Sequence, residues 1–364
     1  MVKVGIVTTF HNVNYGSKLQ SYALQRILSE MGFIGENISW QGKTPNPLHK
    51  RIERVLSDPH RYVARILRRS EFRKRRILFD RYQKKFINVS NMDIDQVKEE
   101  IARGKSPYLY YICGSDQIWA PNLFNEIFFL SFVKDSAKTV AYAPSIGLPE
   151  IPDNLIGRYR ELINDIDSVS VREEDGALLV HNITGRNVPV VLDPTMLLTS
   201  DQWKSHMVKQ QIDSPYILSY FLGNNKRHRQ WVDRLSKYTG YKVVVLPFQL
   251  TDLFWGDERR FDVGPQEFLG LIDGASIVCT DSYHGVLFSV NLNKEFYAFL
   301  RFNEREKLNQ NSRVLNFLDR IDMSDRIVDP SRNPEISDIN WSVINEKIAL
   351  HRSVSHDYLR SSLF

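Results

Sequence analysis

The sequence predicts an α/β protein of two domains facing a cleft, and three observations carry that reading. Short β-branched runs alternate with stretches of helical periodicity, the pattern of a mainly parallel sheet covered on both faces. The alternation restarts after a polar linker at residues 209–215. At 364 residues the chain exceeds one ordinary domain, and its 42% hydrophobic and 12% aromatic content suffices for two cores.

Residues 2–9 read as a buried first strand and residues 10–16 as a largely polar turn. Leu19, Ala23, Ile27 and Met31 then fall four apart, with Tyr22 beside them, on a helix. Strands are expected at 108–113, 139–142 and 168–171, with a helix at 154–164. Residues 187–192 are expected to close the first sheet, ended by Asp193-Pro194, before a short helix capped by Thr199 or Ser200. The second half repeats the pattern: strands at 216–222, 241–246, 276–280 and 294–300, and helices near 228–238 and 265–273. The expected organisation is a first domain over 1–205, with a basic helical arm at about 48–88, a second over 206–335, and a C-terminal helix in 336–364.

The net charge of +5 is unevenly spread. Residues 50–85 hold fourteen Lys and Arg against Glu53, Asp58, Glu71 and Asp80. Val63, Ile66, Leu67, Phe72, Phe79, Tyr82 and Phe86 recur there at broadly helical spacing, so the region reads as one or two basic amphipathic helices. Two roles fit it: a solvated helical face, or contact with an anionic lipid or a diphosphate-linked glycan. No nucleic-acid-binding module accompanies the patch, so no nucleic-acid partner is expected.

No apolar run approaches the roughly 20 residues that span a bilayer. The first residues enter a strand without a charged leader. A cytoplasmic protein is expected. The two cysteines, Cys113 and Cys279, lie inside apolar strands and read as small buried hydrophobes. Asp93-Ile-Asp95 and Asp165-Ile-Asp167 imitate a metal-binding DxD pattern without its strand-turn context, so no metal is expected, and no cofactor. Neither GxGxxG nor GxxxxGK[ST] occurs.

The most informative stretch is Ser276-Ile-Val-Cys-Thr-Asp-Ser-Tyr-His-Gly285, a β-branched run that halts at polar residues before an apolar helix. Such a turn presents side chains at the carboxyl end of a parallel sheet and places His284 at a helix N-terminus, which favours anions.

Seven motifs in order carry a resemblance. They are His11-Asn-Val-Asn-Tyr-Gly-Ser-Lys-Leu-Gln-Ser-Tyr-Ala-Leu-Gln25, Gly114-Ser-Asp-Gln-Ile-Trp119, Phe129-Leu-Ser-Phe-Val133, Tyr142-Ala-Pro-Ser-Ile-Gly147, Ser170-Val-Arg-Glu173, Leu192-Asp-Pro-Thr195 and Thr280-Asp-Ser-Tyr-His-Gly285. From the first strand to about Arg313 the chain resembles the polysaccharide pyruvyl transferase family. The resemblance implies two Rossmann-like domains arranged as in the glycosyltransferases called GT-B. It also implies transfer of pyruvate from phosphoenolpyruvate, as a ketal, to two hydroxyls of a surface polysaccharide or its lipid-linked precursor; the basic arm adds peripheral contact with the inner face of the cell membrane as an expected location. Fold alone leaves two other readings open: a GT-B glycosyltransferase using a nucleotide sugar, and a noncatalytic glycan-binding or assembly protein.

Ketal formation needs a proton donor, a base, and cations or N–H groups for a carboxylate and a phosphate. His284 is the candidate acid or base. Asp281 has two readings: it orients His284 or accepts a sugar proton, or it caps the following helix together with Ser282. The resemblance places the donor near Arg172, Ser282, Gly285 and Arg313, although surface ion pairs would equally explain the two arginines. Several family branches carry Arg-Leu before the histidine; this chain has Ser282-Tyr283. Asn14, Tyr15, Gly16 and Gln20 in one turn, and Ser115, Asp116, Gln117 and Trp119 in another, suit a sugar acceptor through amides, a carboxylate and an aromatic face. Helix capping and core packing are the competing roles for those eight.

Overall fold

A computed structural model describes residues 1–40, 56, 58–133, 136–303, 306 and 309–364. The first sheet is formed by β1 (Val2–Val7), β2 (Phe33–Ser39), β3 (Val89–Asp93), β4 (Tyr110–Asp116), β5 (Lys138–Pro144) and β6 (Ser168–Val169). These strands are parallel and lie in the order β3-β2-β1-β4-β5-β6. The second sheet is formed by β7 (Tyr216–Tyr220), β8 (Lys242–Val245), β9 (Glu258–Arg259), β10 (Ile277–Thr280) and β11 (Glu295–Ala298). It too is parallel, in the order β11-β10-β7-β8-β9. Each sheet therefore reverses direction once, between β1 and β4 and between β7 and β10. In open parallel sheets such switch points open a crevice beyond the strand carboxyl ends.

The strand expected at 187–192 is reduced to one bridge, Val171 to Val190. Pro189 has no N–H to donate to a ladder, which limits pairing there. Strands β2 and β3 carry no strong alternation and escape the sequence reading; Asp93, suspected of mimicking a metal motif, instead caps the helix Ile94–Ala102 through a capping box with Gln96.

Helix α1 (Tyr15–Glu30) follows β1 and is capped by Asn14, whose side chain accepts from the Ser17 N–H at 3.2 Å. Its first residue reaches across to the second sheet's layer: the buried Tyr15 hydroxyl donates to the Val263 carbonyl at 2.8 Å, and its ring stacks on Phe268 at 4.3 Å. One continuous apolar core includes Val4, Leu24 and Ile27 from the first layer and Leu218, Leu271 and Phe288 from the second. The two sheets are thus joined by a shared core, which restrains relative motion more than a polar interface would.

The basic arm forms α2 (Pro59–Leu67) and α3 (Arg69–Phe86). Residues 41–55 and 57 lie outside the described residues. The arm is only partly a solvated face. Arg75 is 1% exposed and donates to the carbonyls of Phe261, Pro247 and Arg260 at 3.0, 2.8 and 3.1 Å, while Phe79 and Tyr82 enter the shared core. Helix α4 (Ser200–His206), capped by Thr199, packs beside it. The C-terminal helix α5 (Trp341–Leu363) crosses back to the first sheet, where Tyr358 donates to the Ala141 carbonyl and Ser355 accepts from the Leu192 N–H. Among the described residues no helix is long and apolar enough to cross a membrane.

His206 is wedged between Tyr22, Phe86 and Trp203, with Nε2 2.9 Å from the Tyr82 hydroxyl. Burial and nearby Lys85 lower its pKa from 6.5 to about 4. The unfolded chain therefore binds a proton between those values that the folded chain refuses, so stability from this group is complete above pH 6.5 and falls as pH drops toward 4. The loss is on the order of 3 kcal/mol. Urea titrations from pH 7 to 4.5 should show a decline in unfolding free energy that His206→Gln makes shallower; equal slopes would exclude His206 as its source.

Candidate active site

The carboxyl ends of the two sheets meet at one buried polar cluster. At the first switch point Thr8 donates through Oγ1 to the Ser115 carbonyl at 2.9 Å. Thr9 and Ser17 each donate a hydroxyl to Asp116 Oδ2 at 2.6 Å. Asp116 sits at φ 80°, in the left-handed region, a strain that persists where surrounding contacts enforce it. Burial alone would raise its pKa, but His284, the two hydroxyls and Arg172 outweigh that and lower it.

Behind it lies an ion-paired group. Asp193, completely shielded, accepts through Oδ2 from Arg172 Nη1 at 2.7 Å and Ser115 Oγ at 2.9 Å, and through Oδ1 from Thr195 N and Oγ1 at 3.0 and 2.8 Å. Arg172 also donates through Nε to Glu173 at 3.0 Å. Burial would raise the Asp193 pKa; His284 and Arg172 overcome it and hold the carboxyl well below the usual range.

The second domain contributes helix α6 (Tyr283–Asn291) and helix α7 (Ser312–Arg320). Ser282 is the N-cap of α6, its hydroxyl accepting from the Gly285 N–H at 3.3 Å. His284 then projects onto α1. Its Nε2 lies 3.5 Å from Asp193 Oδ2, and a β-carbon placed on Gly16 would fall 2.0 Å from its Nδ1. The Tyr283 ring lies between two cations, 4.3 Å from the Arg172 guanidinium and 5.8 Å from that of Arg313. Arg313, on α7, is buried and among the described residues bonds to Gln310 alone; burial and the neighbouring Arg172 and Arg301 lower its pKa to about 10. Gly147, at φ 65°, brings Gln117, Ser145 and Arg313 together, since a β-carbon there would meet all three side chains within 4 Å.

Within this cluster His284 Nε2, Arg172 Nη2, Glu173 Oε2, Gln117 Nε2 and Ser145 Oγ are buried without a protein hydrogen-bond partner. Orphaned buried polar atoms carry a desolvation cost, and their concentration at one place makes the cluster a candidate site for a polar molecule. A cavity of about 520 Å³ opens nearby, lined by Asn14, Arg61, Tyr220, Gly223, Gln249 and Arg301 among others. Among the described residues no three His, Cys, Asp or Glu side chains group to hold a metal ion.

A family model described as polysaccharide pyruvyl transferase matches residues 14–301. The chain belongs to the polysaccharide pyruvyl transferase family. No protein of curated function matches it in sequence. Similar solved structures include a glycosyltransferase from Rickettsia africae, with 12% identity, TM-score 0.53 and coverage of 99% of this chain and 96% of that one. UDP-GlcNAc 2-epimerase from Methanocaldococcus jannaschii is similar at 10% identity, TM-score 0.52 and coverage of 96% and 92%. The N-terminal domain of Candida albicans trehalose-6-phosphate phosphatase is similar at 9% identity, TM-score 0.53 and coverage of 99% and 96%. These likenesses show a GT-B-like fold, as the resemblance implies.

The residues singled out from the sequence divide in two. His284, Arg172, Arg313, Ser115, Asp116, Gln117 and Gly16 come together. Asp281 does something else: its Oδ1 and Oδ2 accept from the N–H groups of Leu222 and Gly223 at 2.7 and 2.8 Å, lacing β10 to β7 at the second switch point. Asp193 takes the place beside the imidazole that one of the two readings of Asp281 would have given it. Ser282 and the Gly285 N–H satisfy each other. Gln20 brackets the β1 turn through Thr8, Thr9 and Ser17, Tyr15 is core, and Trp119 is fully buried, stacked on Phe129 with its N–H on the Phe128 carbonyl. A fully buried indole offers no face for a sugar. Of the four residues singled out around that turn, Asn14 lines the open cavity, with Val13 beside it. Sequence reasoning missed Asp193 and Glu173 as site residues; both stand inside the motifs Leu192-Asp-Pro-Thr195 and Ser170-Val-Arg-Glu173, which carry the signal.

Because Gly16 touches the imidazole, Gly16→Ala must displace either α1 or His284. Denaturant unfolding should show a loss of about 1–3 kcal/mol, the usual cost of overpacking. A stability equal to the native protein's would mean that the two domains do not meet at this contact.

Proposed function

We propose that the protein transfers the pyruvyl group of phosphoenolpyruvate, as a ketal, onto two hydroxyls of a glycan, at the cluster around His284. The observation that carries this reading is the convergence of four unpartnered buried polar atoms, on Arg172, Glu173, Gln117 and Ser145, with Arg313 and the His284–Asp193 pair between the two switch points. The enol methylene takes up a proton and C2 becomes an oxocarbenium-like centre; a sugar hydroxyl adds to C2 and loses its proton. The C2–O bond to phosphate then breaks and inorganic phosphate leaves with the bonding pair; the second hydroxyl adds to the renewed oxocarbenium-like C2 and gives up its proton to the departing phosphate, which closes the ketal.

His284 exchanges the proton. Asp193, 3.5 Å from Nε2 and ionised through Arg172, stabilises the imidazolium that a base becomes. Arg313 and the free Nη2 of Arg172 hold the donor's anionic groups on either side of Tyr283, which supplies from one helix and one turn the charge that other family branches place directly before the histidine. Gln117, Ser145 and Asp116 accept the glycan's hydroxyls. Asp281 is a positioning residue that fixes the turn leading to α6.

Under this assignment His284→Gln should reduce turnover by about 100-fold or more with donor affinity little altered. Arg313→Ala should weaken phosphoenolpyruvate binding, measured by calorimetry, by about 10-fold or more. Binding of a nucleotide sugar without binding of phosphoenolpyruvate would replace this reading with glycosyl transfer, and normal turnover in His284→Gln would remove the histidine from the chemistry.

The acceptor's location follows from the arm. Tyr62, Val63, Ile66 and Leu67 are exposed on α2 at 46, 39, 57 and 57% beside Arg65, Arg68 and Arg69. Such a ridge suits the inner, anionic leaflet of a membrane, where each Lys or Arg contributes about 1 kcal/mol. Peripheral, cytoplasmic-side attachment would bring a lipid-linked oligosaccharide to the cleft. The protein should sediment with phosphatidylglycerol vesicles at 0.05 M salt and be released at 1 M, where the Debye length falls to about 3 Å. Ile66→Asn with Leu67→Asn should weaken attachment while leaving every arginine in place. Failure of the native protein to sediment at low salt would end the membrane assignment.

A further inference from the structure

The arm encloses a second cavity that the chemistry at His284 does not use. It has a volume of about 360 Å³ and is lined by Val13, Arg65, Arg69, Phe72, Arg73, Arg75, Arg76 and Phe248. Five arginines line it and, among the described residues, no carboxylate does. Among the described residues none of the five is ion-paired; the arm's one arginine with a carboxylate partner there is Arg68, bonded to Glu71. Arg75 is spent on three backbone carbonyls, which fix its position and leave its charge uncompensated. Burial, then Arg61, Arg76 and Arg75, lower the Arg65 pKa to about 10, the mark of crowded positive charge.

The geometry selects the kind of anion. Arg69, Arg73 and Arg76 stand four and three residues apart on one helix, so they share a face and extend over about 10 Å. One phosphate is shorter than that track. Two linked phosphates present oxygens to successive guanidinium forks, the arrangement in which arginine binds phosphate best. The remaining walls are Val13 and two aromatic rings, Phe72 and Phe248, whose faces hold the Arg75 guanidinium at 5.3 and 4.9 Å.

The cavity is also placed for a purpose. Val13 and Phe248 line both it and the 520 Å³ cavity beside the site. We infer that the arginine-lined cavity of the arm binds the diphosphate of a diphosphate-linked glycan, so that the sugar attached to it passes Val13 and Phe248 into the cleft. This rests on the glycan-acceptor reading only for where the sugar goes; the diphosphate site stands without it.

The test uses the intact protein and needs no turnover. Calorimetry with inorganic pyrophosphate should give binding at least 10-fold tighter than inorganic phosphate. Arg69→Gln/Arg73→Gln/Arg76→Gln, all at exposed positions, should weaken pyrophosphate at least 10-fold and leave phosphoenolpyruvate affinity unchanged. Geranyl diphosphate and UDP separate the sources: the ligand whose affinity falls in the triple variant identifies a lipid-linked or a nucleotide-linked diphosphate. Pyrophosphate bound no better than phosphate by the native protein, or equally by the variant, overturns the site. Loss of phosphoenolpyruvate binding in the same variant would also overturn it, because the arginines would then belong to the donor. Failure of ketal formation alone, with these affinities as expected, would instead count against the proposed reaction.

Discussion

The Asp193 carboxylate is the interaction on which the rest of the site depends. It lies at the end of the first domain's sheet, has no exposure, and is ionised. An isolated buried carboxylate would neutralise by taking a proton. Here Arg172, Ser115 and Thr195 supply four hydrogen bonds, and the imidazole of the second domain approaches the same oxygen. A charge compensated in that way fixes its partners: the end of β4, the turn after β6 and the start of α6 must all stay in register around it. Breaking a buried pair from one side costs more than the pair contributes when intact, so the arrangement behaves as a unit.

Each switch point is laced by one acidic residue, and the two have different consequences. Asp116 ties β1 to β4 and remains beside the polar cluster, held by hydroxyls that are themselves neutral. Asp281 ties β10 to β7 with both oxygens occupied by backbone N–H groups, and Arg301 donates to its carbonyl at 2.9 Å. A carboxylate engaged in this way is committed to holding the turn and does not point at the imidazole. The histidine two residues along the motif from Ser282 therefore gains its electrostatic partner from the other domain, and chemistry that needs the pair requires the domains to be together. Tyr15, stacked on Phe268 within the shared core, helps hold them so.

Most of the architecture was legible because parallel strands and their helices follow simple periodicities. The strand before His284, the helix after Asn14 and the tail helix were read in place. What escaped did so for physical reasons. Strand β2 runs Phe-Ile-Gly-Glu-Asn-Ile-Ser, with Gly35 and the buried Asn37 interrupting its apolar pattern. The expected strand at 187–192 has the right composition, but Pro189 removes a donor and only a bridge forms. At the site, residue types were legible and partnerships were not: Asp281 and Asp193 are both aspartates at a turn after an apolar run. Which of them faces His284 depends on contacts between residues 91 apart in the chain, a relation carried by tertiary packing and not by local spacing.

The arm shows the same limit from the opposite side. Composition treats its arginines as equivalent, whereas the fold divides them by what surrounds each guanidinium. Arg75, four residues before Phe79 on the same helical face, is drawn into the interior and becomes a bracket for three carbonyls of the second domain. That bracket anchors α3 across the cleft and leaves Arg69, Arg73 and Arg76 on a surface whose position is set. A helix docked by its apolar face alone would slide or rotate at little cost; a buried guanidinium with fixed acceptors resists both, because any displacement strands a charged donor without partners. The positive charge of the arm is therefore held at a defined place beside the cleft, which a solvated basic helix does not require and an anion-binding surface does.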